Sequence, residues 1–340
     1  MHEAQLWKAL PEAKVQCRLC NHFCVLGNGD TGRCGVRVND DGTLFTLVAD
    51  RVAAINVDPV EKKPLFHFMP ATSTLSFATM GCNLSCSFCQ NHNLSQPPRS
   101  GSAVLGRNTT PEGLVQAALE HGCASMSYTY SEPTVFFELM TATAKLASEK
   151  GLKNILVSNG FMSPECLTAL GPLIHAANID LKSFSEEFYS ELCGARLKPV
   201  LDNLRSIVAL GWWLEVTTLI IPGLNDSDQE LRTIAKSIAE ELGPGVPWHV
   251  SRFHPDNHMR DCPPTPLSTL ERAWELGLEA GLKFVYVGNS PGHEAETTHC
   301  PGCGTSVVKR TGFRITANSL SHGKVKGHCP QCGQGIAGVW

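Results

Sequence analysis

The chain reads as an α/β protein built on a parallel sheet, and two observations predict it. Between residues 74 and 287, short apolar or β-branched runs alternate with longer segments of helical character. A β-α-β-α run with crossover helices forms a parallel sheet. The composition agrees: 340 residues, 42% hydrophobic and 18% charged, supply one large core with small additions. The strand candidates are Thr74–Met80, Ser125–Tyr130, Asn154–Ser158, Ala177–Leu181, Leu214–Ile221 and His249–Phe253, with Lys283–Val287 as a further one. Between them fall the helix candidates Pro111–His121, Thr134–Lys150, Pro164–Leu173, Lys198–Leu210, Asp228–Leu242 and Leu267–Ala280. Thr110-Pro111-Glu112 and Ser163-Pro164-Glu165 each put a capping hydroxyl before a proline at the first helical position. Six units fit a TIM-like barrel, complete or not, and also an open doubly wound sheet; periodicity alone leaves both open.

Residues 1–45 form an N-terminal four-cysteine module, 46–73 a connecting segment, 74–295 the catalytic α/β domain and 296–340 a C-terminal ribbon-like module. Asp40-Asp41-Gly42 reads as a turn between Gly35–Asn39 and Thr43–Val48. Asp58–Phe68 is too proline-punctuated for a regular element and is expected to cross the barrel mouth. A net charge of −4 gives no general argument for nucleic acid or membrane. No apolar run approaches the ~20 residues of a membrane helix. Met1–Lys8 lacks a leader pattern, so the expected location is the cytoplasm.

Fifteen cysteines in such a chain argue for metals rather than disulfides. Cys82, Cys86 and Cys89 lie at C-x3-C-x2-C spacing directly after the first strand. Three thiolates hold three irons of a 4Fe–4S cluster and leave the fourth iron open. S-adenosylmethionine (SAM) can chelate that iron through its amino and carboxylate groups, and an electron from the cluster then yields a 5′-deoxyadenosyl radical. The plainer alternative is a zinc site of three thiolates, with His92 as a fourth ligand.

The loop, with Phe88 before its last cysteine, resembles the radical SAM superfamily signature. That resemblance implies an incomplete (β/α)6 TIM-like barrel. The N-terminal quartet, Glu61–Phe68, Cys89-Gln90-Asn91, Tyr128–Pro133 and Cys193-Gly194-Ala195 together resemble the AmmeMemoRadiSam-system radical SAM proteins, relatives of pyruvate formate-lyase activating enzymes. The resemblance spans essentially the full length. It implies a one-electron donor such as flavodoxin or ferredoxin, a protein or peptide substrate, and association with Memo-like and AMMECR-type proteins.

The expected SAM contacts stand at strand ends. Glu132 occupies the place of the family's Gly-Gly-Glu motif, with Tyr130-Ser131 replacing the glycines; its plain reading is a helix-start carboxylate. Ser158 and Asn159 are suited to ribose, or to an ordinary turn. Asp180 and Lys182 project to one face and offer an acid and a base to a zwitterion, or simply to each other. His254 is assigned the SAM carboxylate by resemblance to the activases. Ile221–Asp226 resembles an adenine-contacting segment.

The flanking modules carry eight further thiols. Cys300, Cys303, Cys329 and Cys332 form two CPxCG knuckles, the pattern of a structural zinc ribbon, although an auxiliary iron–sulfur cluster takes the same ligands. Cys17, Cys20, Cys24 and Cys34 suffice for a metal or a cluster, with His22 as a substitute. Cys123 and Cys166 read as core residues; Cys193 and Cys262, near the expected mouth, are candidate hydrogen-atom donors or packing residues. Lys309, Arg310, Arg314, Lys324 and Lys326 make the ribbon basic, a solvated face before a nucleic-acid surface. Radical modification of a small molecule or nucleic-acid base, and a non-enzymatic multi-zinc interaction protein, are the competing readings.

Overall fold

The computed structural model of the chain describes residues 1–290, 292–321 and 325–340, so Lys324 lies outside the described residues. Its main sheet has eight strands: β1 (Ala54–Pro59), β2 (Ser73–Ala78), β3 (Ser125–Tyr128), β4 (Lys153–Ser158), β5 (Ala176–Asp180), β6 (Trp213–Ile220), β7 (Trp248–Arg252) and β8 (Val285–Gly288). They lie side by side in chain order. From β2 to β8 all pairings are parallel. Only β1 is antiparallel, with Ala54 facing Ala78 and Pro59 facing Ser73. No ladder joins β1 to β8 among the described residues, which leaves the barrel incomplete.

Six crossover helices connect the parallel strands: α1 (Pro111–Glu120), α2 (Phe137–Glu149), α3 (Pro164–Leu170), α4 (Leu197–Ala209), α5 (Asp228–Ser237) and α6 (Leu267–Glu279). The two expected caps are made. Thr110 accepts from the Gly113 N–H and Ser163 from the Cys166 N–H, each worth about 1 kcal/mol. On the helix side of the sheet Phe77 meets Tyr128 edge-on at 5.4 Å and Phe136 at 5.7 Å. The other face carries polar pairs beside an apolar patch: Thr74 Oγ1 lies 2.7 Å from Ser127 Oγ, Thr217 donates to Asn178, and Ile155 and Ala176 pack with Leu65 and Phe68. Strand alternation separates the two sets. No helix among the described residues is long and apolar enough to cross a membrane.

Residues 60–72 join β1 to β2. Because β1 is antiparallel, this connection lies at the N-terminal ends of the parallel strands. The expectation that Asp58–Phe68 crosses the mouth is therefore corrected: the segment plugs the opposite end. Buried Glu215 on β6 draws it there, accepting from the Phe66 and His67 N–H groups at 3.0 and 2.8 Å. His249 Nε2 and Trp213 Nε1 complete the carboxylate at 2.7 and 2.9 Å. Asn178 donates to the Pro64 carbonyl at 2.8 Å.

The C-terminal ribbon, with strands Thr298–His299, Ser306–Thr311 and Arg314–Asn318, attaches to this plug. The Val339 N–H donates to the His67 carbonyl, and the Val339 carbonyl accepts in turn from the Met69 N–H, both at 2.7 Å. Arg310 is buried, donates to the Phe66 carbonyl at 2.6 Å, and stands 4.3 Å from the Phe66 ring centroid. It is an interface residue, which removes it from the exposed basic face of Lys309, Arg314 and Lys326.

The N-terminal residues form two small antiparallel sheets. Asp41 and Gly42, at φ 48° and 81°, make the expected turn between Arg37–Asp40 and Thr43–Thr46. This module docks at the other end of the barrel. Arg37 is buried in an ion pair with Glu138 of α2, and Cys20 bridges to Met162 in the loop after β4. The two flanking cysteine modules thus occupy opposite ends.

Candidate active site

β2 leads through Gly81 into the cysteine loop. Gly81 has φ 101°, and a Cβ there would stand 2.7 Å from Val36 Cγ1 and 3.0 Å from the Cys34 carbonyl. Glycine is required by both backbone and neighbours. The loop is then pinned by distant elements. Ser85 and Ser87 N–H groups donate to the Cys193 and Leu192 carbonyls, both at 2.9 Å. Arg99 donates to the Leu84 carbonyl at 2.6 Å, and Asn257, after β7, to that of Cys86 at 3.2 Å.

Cys86 is buried, whereas Cys82 and Cys89 are partly exposed. The Leu84 N–H points at Cys82 Sγ from 3.4 Å, and Ser95 Oγ lies 3.3 Å from Cys89 Sγ. Burial pushes both thiol pKa values up, and these two contacts oppose that push. Among the described residues only the C-terminal quartet brings its sulfurs within 4.8 Å of one another. The sulfurs of Cys82, Cys86 and Cys89 do not all lie within that distance of one another.

Cys193 borders this site, its carbonyl held by the Ser85 N–H. It is fully buried, and its side chain beside Cys86 holds the Cys86 pKa below the ordinary thiol value against burial that pushes it up. Cys262 is partly exposed, with its sulfur 4.0 Å from the Pro222 carbonyl.

Asp180 and Lys182 form an ion pair at 2.8 Å, with Lys182 Nζ 5.8 Å from the ring centroid of Phe88, inside the cysteine loop. Asn225 fixes this end of β5 by donating to the Lys182 carbonyl at 2.7 Å while its own Oδ1 accepts from the Ile221 N–H.

Glu132 is buried and committed to the protein. Oε1 accepts from the Thr134 N–H, the Thr134 hydroxyl and the Ser158 hydroxyl at 3.1, 2.6 and 2.7 Å, and Oε2 from the Asn159 N–H at 2.9 Å. Burial pushes its pKa up and these donors oppose that push. Asn159 in turn donates to Asn83 Oδ1 at 2.7 Å and points Nδ2 at Cys82 Sγ from 3.7 Å. Glu132, Ser158 and Asn159 therefore brace the cysteine loop as one unit.

His254 stands exposed, two residues beyond β7. Tyr130 takes φ 63°, the left-handed conformation that the glycine it replaces adopts freely. Its hydroxyl donates to Asp58 and its ring lies 4.5 Å from Lys63 Nζ. That cluster, and the Cys193–Cys86 contact, were not visible in the sequence; the adjacent Gly194, at φ 64°, was the nearest signal.

In the ribbon, Cys300 and Cys332 sulfurs are 3.6 Å apart, and those of Cys303 and Cys329 3.7 Å. A tetrahedron with Zn–S bonds near 2.3 Å has an edge of about 3.8 Å. The N-terminal four, Cys17, Cys20, Cys24 and Cys34, line one pocket together with His22, Arg37 and Asn83.

The sequence profile of the radical SAM superfamily matches residues 77–237. An uncharacterised protein of Methanocaldococcus jannaschii is 44% identical over 91% of this chain and 92% of its own length. The pyruvate formate-lyase-activating enzyme of Clostridium pasteurianum is 23% identical over 50% of this chain and 70% of its own. A radical SAM methyltransferase from Sphaerobacter thermophilus superimposes with a TM-score of 0.50 at 17% identity, covering 66% of this chain and 68% of that one, a likeness of fold.

Proposed function

The chain belongs to the radical SAM superfamily, and on that premise we propose that it cleaves SAM reductively and passes the resulting radical to a protein or peptide, in the manner of a glycyl-radical activase. The single observation that carries the reading is the loop itself. Three thiols are held rigid at a strand end, beside an acid and a base 2.8 Å apart. Cys82, Cys86 and Cys89 would hold a 4Fe–4S cluster, which supplies the electron that breaks the SAM sulfonium and yields the 5′-deoxyadenosyl radical.

The remaining roles belong to the chain. Asp180 would take the SAM ammonium and Lys182 its carboxylate, exchanging their mutual ion pair for two to the ligand. Glu132 would act through Ser158 and Asn159, keeping the loop in register with β4 while the Asn159 amide stays on Cys82. His254, exposed above β7, would close on the SAM carboxylate. Cys300, Cys303, Cys329 and Cys332 would hold zinc at the far end, in keeping with their sulfur spacing.

The activase-like part rests on matched relatives that bear the names of activating enzymes and cover about half of this chain. It calls for a low-potential one-electron donor such as flavodoxin or ferredoxin. Anaerobic reconstitution, followed by SAM and dithionite, tests the core of the proposal: 5′-deoxyadenosine and methionine accumulate with the wild type and not with Cys86→Ala. A wild-type protein with its cluster intact that leaves SAM unchanged would sink it.

A further inference from the structure

We propose that Cys17, Cys20, Cys24 and Cys34 hold a second iron–sulfur cluster that relays electrons to the site of Cys82, Cys86 and Cys89. The inference rests on the radical SAM reading above and adds a redox site to it.

The quartet lies against the Cys82 loop. The quartet's pocket is walled on one side by Asn83, the residue that follows Cys82. His22 Nε2 lies 2.8 Å from the Asn83 carbonyl, and the Cys34 carbonyl would stand 3.0 Å from a Cβ on Gly81. The module is therefore packed against the residues on both sides of Cys82. The ribbon quartet, by contrast, is tied to the plug at the opposite end through Arg310 and Val339.

The ribbon sulfurs pair at 3.6 and 3.7 Å, but the N-terminal sulfurs do not draw together within 4.8 Å. They behave like Cys82, Cys86 and Cys89. A guest with several metal corners, each taking one thiolate, suits sulfurs that are not gathered around one point better than a single zinc ion does.

The pocket wall also offers unpaired donors. Arg37 Nε and Asn83 Nδ2 are buried donors without a partner, and both residues line this pocket at 1% exposure. A buried orphan donor costs about 1–3 kcal/mol unless a guest accepts from it. The bridging sulfides of a cluster are anionic acceptors that would face the wall, whereas a zinc ion brings no acceptor of its own. Arg37 also points Nη1 at Cys17 Sγ from 3.8 Å, placing a cation beside an anionic guest.

The electron count closes with one external reductant. A flavodoxin- or ferredoxin-class donor loses one electron to the N-terminal site. That electron moves past Asn83 to the Cys82 site and enters the SAM C5′–S bond. The bond breaks to methionine and the 5′-deoxyadenosyl radical, and the donor leaves oxidised by one electron.

The test uses the full chain, reconstituted anaerobically. Iron, sulfide and zinc are counted, and electron paramagnetic resonance (EPR) spectra are recorded after reduction with and without SAM. The expected result is about eight irons and one zinc per chain, with two reduced signals of which one shifts on adding SAM. In the Cys20→Ala/Cys24→Ala variant, iron falls to about half and the SAM-responsive signal remains under dithionite. Its reduction by flavodoxin slows by about tenfold or more. If that variant does not fold, the wild-type counts and spectra decide. About four irons and two zincs, with the SAM-responsive signal intact, overturn the relay and spare the parent reading. A variant that flavodoxin reduces at the wild-type rate also overturns it. Loss of any SAM-responsive signal in the wild type overturns both.

Discussion

Gly81 and Val36 stand so close that a Cβ on Gly81 would lie 2.7 Å from Val36 Cγ1. The N-terminal module and the cysteine loop are thus packed as one body, although 45 residues separate these two positions (81 − 36). Gly81→Ala meets a φ of 101° and the clash together. It should cost about 2–5 kcal/mol, combining backbone strain with overpacking. Thermal unfolding and iron retention after reconstitution should both fall; unchanged values would contradict the close docking.

Cys193 lies beside Cys86 and holds its thiol pKa below the ordinary value. Cys193→Ala removes a donor that favours the more negative, reduced state. The potential of the SAM-responsive site should therefore drop, on the order of tens of millivolts. Redox titration followed by EPR measures it. An unchanged potential with loss of hydrogen abstraction would instead return Cys193 to the role of hydrogen-atom donor.

Lys182→Met should weaken SAM binding by about 10–100-fold, the size of one charge-assisted hydrogen bond. Stability should hardly change, since the Asp180 carboxylate it leaves is 39% exposed. SAM titration monitored by the EPR shift gives the affinity. Wild-type affinity would confine the pair to a structural ion pair.

The ribbon and the mouth lie at opposite ends, so they should separate on metal removal. A thiol-competitive zinc chelator should lower the thermal midpoint by loosening the Arg310–Phe66 and Val339–His67 contacts. The SAM-responsive signal should persist. Its parallel loss would show coupling across the barrel that these contacts do not account for.

His67 supplies a pH dependence. Burial lowers its pKa from the ordinary 6.5 to about 4. The unfolded state then binds the extra proton between pH 6.5 and about 4, so stability is lost as pH falls through that window. The full shift is worth about 3 kcal/mol. His67→Gln should flatten the unfolding free energy between pH 4 and 6.5 relative to wild type, measured in urea. An unaltered slope would place the acid sensitivity elsewhere.

Much of this site was legible because it is local. C-x3-C-x2-C, Asp180-x-Lys182 and the Thr110 and Ser163 caps need only a few residues of context, and each falls where its pattern placed it. What was hidden is long-range. Glu215 draws Phe66 and His67 from 149 and 148 residues away, which put the proline-broken segment at the bottom instead of the mouth. Glu132 reads as a SAM contact or a helix-start carboxylate, and only the folded chain brings Ser158 and Asn159 onto it as well. Arg310 reads as a surface charge until Phe66 covers it.

The most direct measurement of the central claim is the EPR spectrum of the reduced, full-length protein before and after SAM. A 4Fe–4S signal that shifts on SAM addition, and is lost in Cys82→Ala, is the predicted result. A chain that binds only zinc at Cys82, Cys86 and Cys89 after anaerobic reconstitution, or a cluster signal indifferent to SAM, would contradict it.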